Sequence, residues 1–233
     1  MKVLGLIPAR GGSKGVPGKN GKLLNGRPLL AYTIDVALKV EGLSKVVFSS
    51  EDPHLIDLAK QEGAVVPFMR PQELATDQAT SLSVVQHALK QLQQNGETYD
   101  AVCLLQVTTP FRSVALVEQA IDKFIQSGYD SLISVQAVPH QYNPHWVFEL
   151  SGEGTDSLQL ATKDDQIISR RQELPPAYIR DGSIYLTKTE VLLEQDSFFG
   201  TNIGYVVSDS ETFINIDTAA DWTRAEEIAR SNT

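Results

Sequence analysis

Cysteine is almost absent from this chain: Cys103 is the only one in 233 residues. A single thiol cannot build a disulfide framework, so the core must rest on packing, and a reducing compartment fits. Cys103 lies in an apolar run and reads as a small core residue. Long hydrophobic runs are missing too; none approaches the ~20 residues that a membrane-spanning helix needs. The first residues enter a strand-like run directly, with no cleavable leader pattern. These absences lead us to expect a soluble cytoplasmic protein with no membrane partner. Internal repeats and low-complexity segments are lacking as well. What remains, at 42% hydrophobic and 21% charged residues, can fill the core of one large domain, with or without a sizeable insertion.

A more local absence is that of acids near the start. The first 34 residues hold six cations (Lys2, Arg10, Lys14, Lys19, Lys22 and Arg27) and no aspartate or glutamate. The whole chain carries −9, so residues 35–233 carry −15. A positive field confined to one end of an acidic protein suits a small anion, whereas nucleic acid would be repelled by the rest of the surface. Within this stretch the apolar run Val3 to Ile7 opens into residues 8–20, PARGGSKGVPGKN. Glycine allows close backbone approach, so consecutive amides around Gly11 and Gly12 can face one concave space ringed by Arg10, Lys14 and Lys19. Such a cradle takes a polyanion, and a nucleoside triphosphate is the commonest small one. The alternative is a plain strand-to-helix connection with solvated lysines. The spacing matches neither the G-x-x-x-x-G-K-[ST] nor the G-x-G-x-x-G phosphate motif.

Beyond the loop, strand and helix patterns alternate. Pro28 suits the first position of a helix carrying Leu29, Leu30, Ile34 and Ala37. Lys45 to Phe48 reads as a strand, Pro53 opens a helix, and Ala64 to Pro67 reads as a short third strand. The polar run from Arg70 to Ser83 follows. Its hydroxyls either cap the next helix, with Ser81 as candidate, or enclose a nucleobase and ribose with Arg70 near a phosphate. Asp100 to Gln106 reads as a central strand ending in a polar mouth, where Gln106 can hold a sugar hydroxyl or carboxylate. A further helix and a strand over Ser131 to Val135 complete the alternation, which predicts an α/β fold with a mostly parallel sheet covered on both faces. Residues 139–182 break the pattern and read as an antiparallel excursion, either a lid or a dimerisation arm. His140 and His145 within it lack metal-ligand spacing. Strands are expected over Ser183 to Leu186 and Gly204 to Val207. Phe213 to Thr218 reads as a short strand ending in Asp217, which either starts the last helix or holds a divalent cation. Thr218 and Asp221 outline a capping box.

Six segments in this order carry a resemblance to the acylneuraminate cytidylyltransferase family: IPARGGSKGVPGKN (7–20), RPQELATDQATS (70–81), LLQVTTPFR (104–112), RRQ (170–172), DGSIY (181–185) and INIDT (214–218). The resemblance spans nearly the whole chain. It implies a Rossmann-like nucleotidyltransferase fold whose arm exchanges across a homodimer. It implies that Arg10, Ser13, Lys14, Lys19 and Asn20, with Gly11 and Gly12, hold the triphosphate and nucleotide, completed by Arg70, Ala79 and Ser81. Gln106 would bind the sugar acid, with Tyr185, Phe198 and Phe199 as its wall and Arg170 and Arg171 approaching from the arm. Asp217 would bind Mg²⁺. Asn215 stands where the family often has a second aspartate; its amide oxygen can still ligate a cation but brings no charge. The implied reaction transfers CMP from CTP to a 2-keto sugar acid of sialic type. The same reaction on Kdo, or a non-catalytic CTP sensor, are the other readings. Asp181, where sialic-acid enzymes commonly show Asn, points toward a non-sialic relative.

Overall fold

The computed structural model describes residues 1–231. In chain order its elements are β1 (Val3–Pro8), a minimal hairpin of β2 (Leu23–Leu24) and β3 (Arg27–Pro28), α1 (Leu29–Lys39), β4 (Lys45–Ser49), α2 (Pro53–Gln61), α3 (Ser81–Gln94), β5 (Ala101–Leu104), α4 (Val114–Ser127), β6 (Ser131–Ala137), β7 (Phe148–Leu150), β8 (Leu158–Leu160), β9 (Tyr178–Lys188), α5 (Thr189–Glu194), β10 (Ile203–Val207) and α6 (Ala219–Ser231). The chain divides into two compact units, residues 1–134 with 181–233, and residues 135–180.

Alternation along the central strands explains the first unit. Val3 and Ile7 of β1, Val46 and Phe48 of β4, and Ala101 and Cys103 of β5 join one hydrophobic cluster. Leu4 and Leu6, Val47, and Val102 and Leu104 join a second cluster. Successive strand side chains point to opposite faces, so these strands are buried on both sides and read as unbroken apolar runs. Helices α1, α2, α4 and α6 supply the first cluster, and α3 and α5 the second. Burial raises the Cys103 thiol to about 12, which leaves it an inert core residue.

The sheet order is β10-β6-β9-β5-β1-β4. Strand β1 runs parallel to β4 and to β5, with Leu6 opposite Val47 and Leu104. Beyond β5 lies β9, antiparallel to it. This is the expected α/β class with a mostly parallel centre. Several elements depart from expectation. Residues 64–67 form one parallel bridge, Val47 to Val65, and no strand; Pro67 has no N–H with which to extend a ladder. Residues 213–217 also form no strand. Their alternating burial imitates one, but Ile216 donates to the loop carbonyl of Thr108 at 2.8 Å. Helix α3 is capped by Thr80, whose hydroxyl accepts from Ser83 N–H at 3.1 Å, and Ser81 is its first residue. Pro28 precedes α1 and lies outside it. The capping box at α6 is present: Asp221 accepts from Thr218 N–H at 2.7 Å, and Thr218 Oγ1 accepts from Asp221 N–H at 3.2 Å.

The second unit contains the antiparallel β7–β8 pair, with Phe148 opposite Leu160 and Leu150 opposite Leu158. Trp146 Nε1 donates to the Ile168 carbonyl at 2.6 Å, Asn143 Nδ2 donates to Pro175 at 2.9 Å, and His145 Nδ1 lies 3.0 Å from Asp164. Among the described residues no helix is long and apolar enough to cross a membrane.

One half-buried histidine makes stability depend on pH. His87, on α3, packs edge-on against Phe68 at 5.2 Å between ring centroids, and its Nδ1 has no hydrogen-bond partner. Burial, reinforced by the Arg70 charge, holds its pKa below the ordinary histidine value. Below about pH 6.5 the unfolded chain binds a proton that the folded chain resists, so stability falls as pH drops. The urea midpoint should therefore fall between pH 7.5 and 5.5. The fall should be smaller in His87→Gln; an equal fall in both proteins would remove His87 as its source.

Candidate functional site

Because β4, β1 and β5 run parallel, their carboxyl ends lie along one sheet edge. The segments leaving those ends, residues 9–20, 50–52 and 105–109, therefore emerge side by side, the usual place for a ligand in such sheets. A cavity of about 310 Å³ opens there. Its lining includes Arg10, Gly12, Ser13, Lys19, Asn20, Arg70, Ala79, Ser81, Gln106 and Asp217. Ten residues singled out from the sequence thus share one space, although 207 positions separate Arg10 from Asp217.

Lys19 closes this space. A left-handed turn at Gly18, φ 61°, starts the short 3-10 helix Lys19–Gly21 and turns the side chain inward. The buried ammonium donates to the Ile216 carbonyl at 2.5 Å and to Asp217 Oδ1 at 3.3 Å. Asn215 Nδ2 donates to the other Asp217 oxygen at 2.8 Å. Gly15 lies directly against this segment: a Cβ there would sit 1.8 Å from the Asp217 carbonyl oxygen.

A buried ion pair braces the loop from the other side. Arg70 Nη2 donates to Glu51 Oε2 at 2.5 Å and to the Ala9 carbonyl at 2.7 Å. Glu51 Oε1 accepts from Gly11 N–H at 2.7 Å. This corrects the reading of Gly11 as part of the amide cradle. Its N–H is engaged by Glu51, and its missing Cβ is required because one would lie 2.3 Å from Asp52 Oδ2. Gly12 has open space around it and does line the cavity. Arg70 Nε is buried without a partner and remains available. Asn20 also braces the loop, donating to the Arg10 carbonyl at 2.9 Å.

Other candidates stand off the lining. Lys14 reaches the rim through Asp77, which also holds Arg10: the two contacts are 2.5 and 2.7 Å. These bonds, Lys14 foremost, lower the Asp77 pKa below the carboxylate range. Tyr185, Phe198 and Phe199 form their own aromatic group, with Tyr185 5.8 Å from Phe198 and 6.4 Å from Phe199. Arg170 and Arg171 belong to the second unit, where Arg170 pairs with Glu173. A larger cavity of about 450 Å³ lies beside α4. The cation lining it, Arg112, is fully engaged with Ser183, Thr33, Gln106 and Thr109.

Sequence reasoning missed Glu51, Asp77 and Gly15 as site residues. Glu51 carried a signal: it stands two residues past the end of a strand buried on both faces, where an acid that stays buried needs a donor or a cation.

The Rossmann-like sheet and a cation-lined cavity at the carboxyl ends of its parallel strands define a nucleotide-handling α/β protein. Comparison with known proteins narrows the class. The sequence model described as Cytidylyltransferase matches residues 4–207, and the chain belongs to that family. It is 35% identical to the CMP-N,N'-diacetyllegionaminic acid synthase of Legionella pneumophila and to a pseudaminic acid cytidylyltransferase of Campylobacter jejuni, over all of this chain and 98% of each relative. An N-acylneuraminate cytidylyltransferase of Streptococcus agalactiae is 33% identical over 95% of this chain and 52% of its own length. A solved CMP:2-keto-3-deoxy-manno-octonic acid synthetase complexed with CTP shares the fold, with a TM-score of 0.73 at 17% identity over both whole chains. So does the 4-diphosphocytidyl-2C-methyl-D-erythritol synthase of Anaerococcus prevotii, with a TM-score of 0.67 at 13% identity over 98% of this chain and 96% of that one. The chain is a nucleotidyltransferase.

Two substitutions test the bracing. Glu51→Ala leaves the buried Arg70 charge unpaired and should cost about 3–5 kcal/mol of stability in denaturant titration. Gly15→Ala forces the loop off the Asp217 segment and should abolish CTP binding in calorimetry; unchanged affinity would show that this close approach does not shape the site.

Proposed function

We propose that this enzyme transfers CMP from CTP to the anomeric hydroxyl of a nonulosonic, sialic-type 2-keto acid and releases pyrophosphate. The observation that carries this reading is the shared cavity. A buried Lys19, a half-buried Arg10 and the Asp217 carboxylate meet where the parallel strands end, in a chain whose relatives at 35% identity are named for legionaminic and pseudaminic acids.

In the reaction, the sugar oxygen bonds to the α-phosphorus while the bond from that phosphorus to the β-phosphate bridging oxygen breaks. The hydroxyl gives its proton to solvent water as the new bond forms. Phosphoryl transfer of this kind depends on positioning and charge neutralisation. Arg10, Lys14 and Lys19 neutralise the charge that collects on the departing pyrophosphate. Ser13, Asn20, Ala79 and Ser81, with the free Nε of Arg70, hold the nucleoside. Gln106 binds the sugar acid. Gly182, at φ +83°, gives Gln106 room, since a Cβ there would come within 3.2 Å of Gln106 Oε1. Tyr185, Phe198 and Phe199 wall the sugar side.

Asp217 and Asn215 fit a Mg²⁺ ion. Asp217 lines the cavity and is largely exposed, and a half-turn of the Asn215 amide offers oxygen in place of nitrogen. Among the described residues no group of three or more His, Cys, Asp or Glu converges. A site with one carboxylate suits Mg²⁺, which keeps several waters and takes substrate phosphates as ligands. When bound, the ion supplies further charge neutralisation at the phosphates.

We assign the second unit as a dimerisation arm that brings Arg170 and Arg171 to a partner's sugar site, in a cytoplasmic homodimer. Its surface supports this: Tyr142, Phe148, Leu150, Leu158, Ile167 and Ile179 are all exposed, an unusual apolar load for a unit of this size.

Pyrophosphate release with CTP, Mg²⁺ and a panel of eight- and nine-carbon 2-keto acids tests the reaction. Turnover is expected with a nine-carbon acid, and turnover with Kdo alone would replace it. Lys19→Ala should lower kcat by roughly 10²–10³-fold, the loss seen when one transition-state charge partner is removed. Sedimentation should give twice the chain mass; a monomer with full activity would sink the shared site.

A further inference from the structure

Among the described residues Asp77 alone is an acidic side chain that spans two of the loop's cations, and the reaction gives it no task. It sits in the segment between the 3-10 turn Gln72–Ala75 and α3. Its Oδ1 lies 2.7 Å from Arg10 Nη2 and its Oδ2 lies 2.5 Å from Lys14 Nζ. Both oxygens are therefore committed, one to each cation. Asp77 lines the same cavity as Arg10, Gly12, Ser13 and Lys19. Two cations flanking one planar anion is also what a phosphate would find there. The segment carrying it is held only loosely by its own bonds. Thr76 Oγ1 reaches the Glu73 carbonyl at 3.4 Å, and Ala79 N–H reaches Thr76 at 3.3 Å.

We infer that Asp77 is an internal counter-anion that occupies the phosphate clamp in the free enzyme and is exchanged for the phosphates of the ligand. This rests on the reading of the cavity as the CTP site. A carboxylate brings one negative charge, and a di- or triphosphate brings more, so the ligand wins the exchange. Asp77 is then left beside a polyanion, and like-charge repulsion moves its segment away from the loop. On the return path Asp77 retakes Arg10 and Lys14 as pyrophosphate leaves. Departure then leaves no pair of bare cations, and release becomes a substitution. The device therefore weakens phosphate binding at the start of the cycle and eases product loss at its end.

The test is calorimetric titration of the full-length protein with CTP and with pyrophosphate, in chelator, so that no divalent ion contributes. Asp77→Asn removes the charge and keeps the shape. It should bind pyrophosphate about threefold to tenfold more tightly than the wild type, the scale expected from two partly exposed ion pairs. Asp77→Ser should do the same, which guards against a new bond from the asparagine. Glu41→Gln removes one charge before the amino end of β4, at the far edge of the sheet, and should leave both affinities unchanged. Pyrophosphate binding that is unchanged or weaker in both Asp77 variants would overturn the proposal, as would equal tightening in Glu41→Gln. If the wild type binds neither ligand in chelator and neither with Mg²⁺ restored, the CTP reading of the cavity fails, and the counter-anion fails with it; binding only with Mg²⁺ overturns the counter-anion alone.

Discussion

A single buried ammonium ties the beginning of this chain to its end. Taking a lysine out of water costs several kcal/mol unless its charge and donors are matched. Lys19 is matched by a backbone carbonyl and a carboxylate nearly two hundred residues away, Ile216 and Asp217. The match requires the loop to lie flat on the later segment, and Gly15 is the residue that lets it. That segment is itself fixed twice: Ile216 donates to the loop after β5, and the Asp217 N–H donates to Asp221 at 3.1 Å. Asp221 belongs to α6, which is anchored in the core by Trp222, Ala225 and Ala229. The direction of the Asp217 carboxylate thus depends on how the last helix packs.

The second brace works differently. Burying both Glu51 and Arg70 gains little net stability, because desolvation offsets much of their attraction. What the pair fixes is geometry. One carboxylate oxygen holds the Gly11 amide, the other holds Arg70, and Arg70 holds the Ala9 carbonyl. Residues 9–11 are clamped from the end of β4, so Arg10 leaves the sheet from a rigid base.

The central strands were legible because β1, β4 and β5 are buried on both faces, which leaves a continuous apolar signal. The box at Thr218 and Asp221 was legible because capping is local chemistry. Residues 64–67 and 213–217 misled for different reasons: the first pairs with β4 at a single bridge before Pro67 ends the ladder, and the second alternates in burial like a strand but bonds to a loop. The gathering of Arg10, Lys19, Gln106 and Asp217 was anticipated from residue chemistry and family resemblance. The answering charges were not, because the acid-free first 34 residues look like an open positive field. Folding brings Glu51 to the Gly11 amide and Asp77 to Arg10 and Lys14 from two later segments, and local sequence does not show these meetings.

The same pairing explains how the site tolerates Asn215. An ionised aspartate at that position would stand against Asp217 and repel it whenever no cation lay between them. The asparagine instead donates a hydrogen bond to Asp217 at 2.8 Å, while Lys19 holds the other oxygen. The carboxylate is oriented by protein partners alone, with one negative charge fewer than two aspartates would bring. A cation held here, as we propose, would meet a weaker field than two aspartates provide and a carboxylate already aligned by Lys19, while the Asn215 amide would have to turn its oxygen toward the ion. The loss of charge and the gain in preorganisation act in opposite directions on affinity. Substrate phosphates would then be the natural source of the missing charge, which would couple occupation by the proposed metal to occupation by the nucleotide.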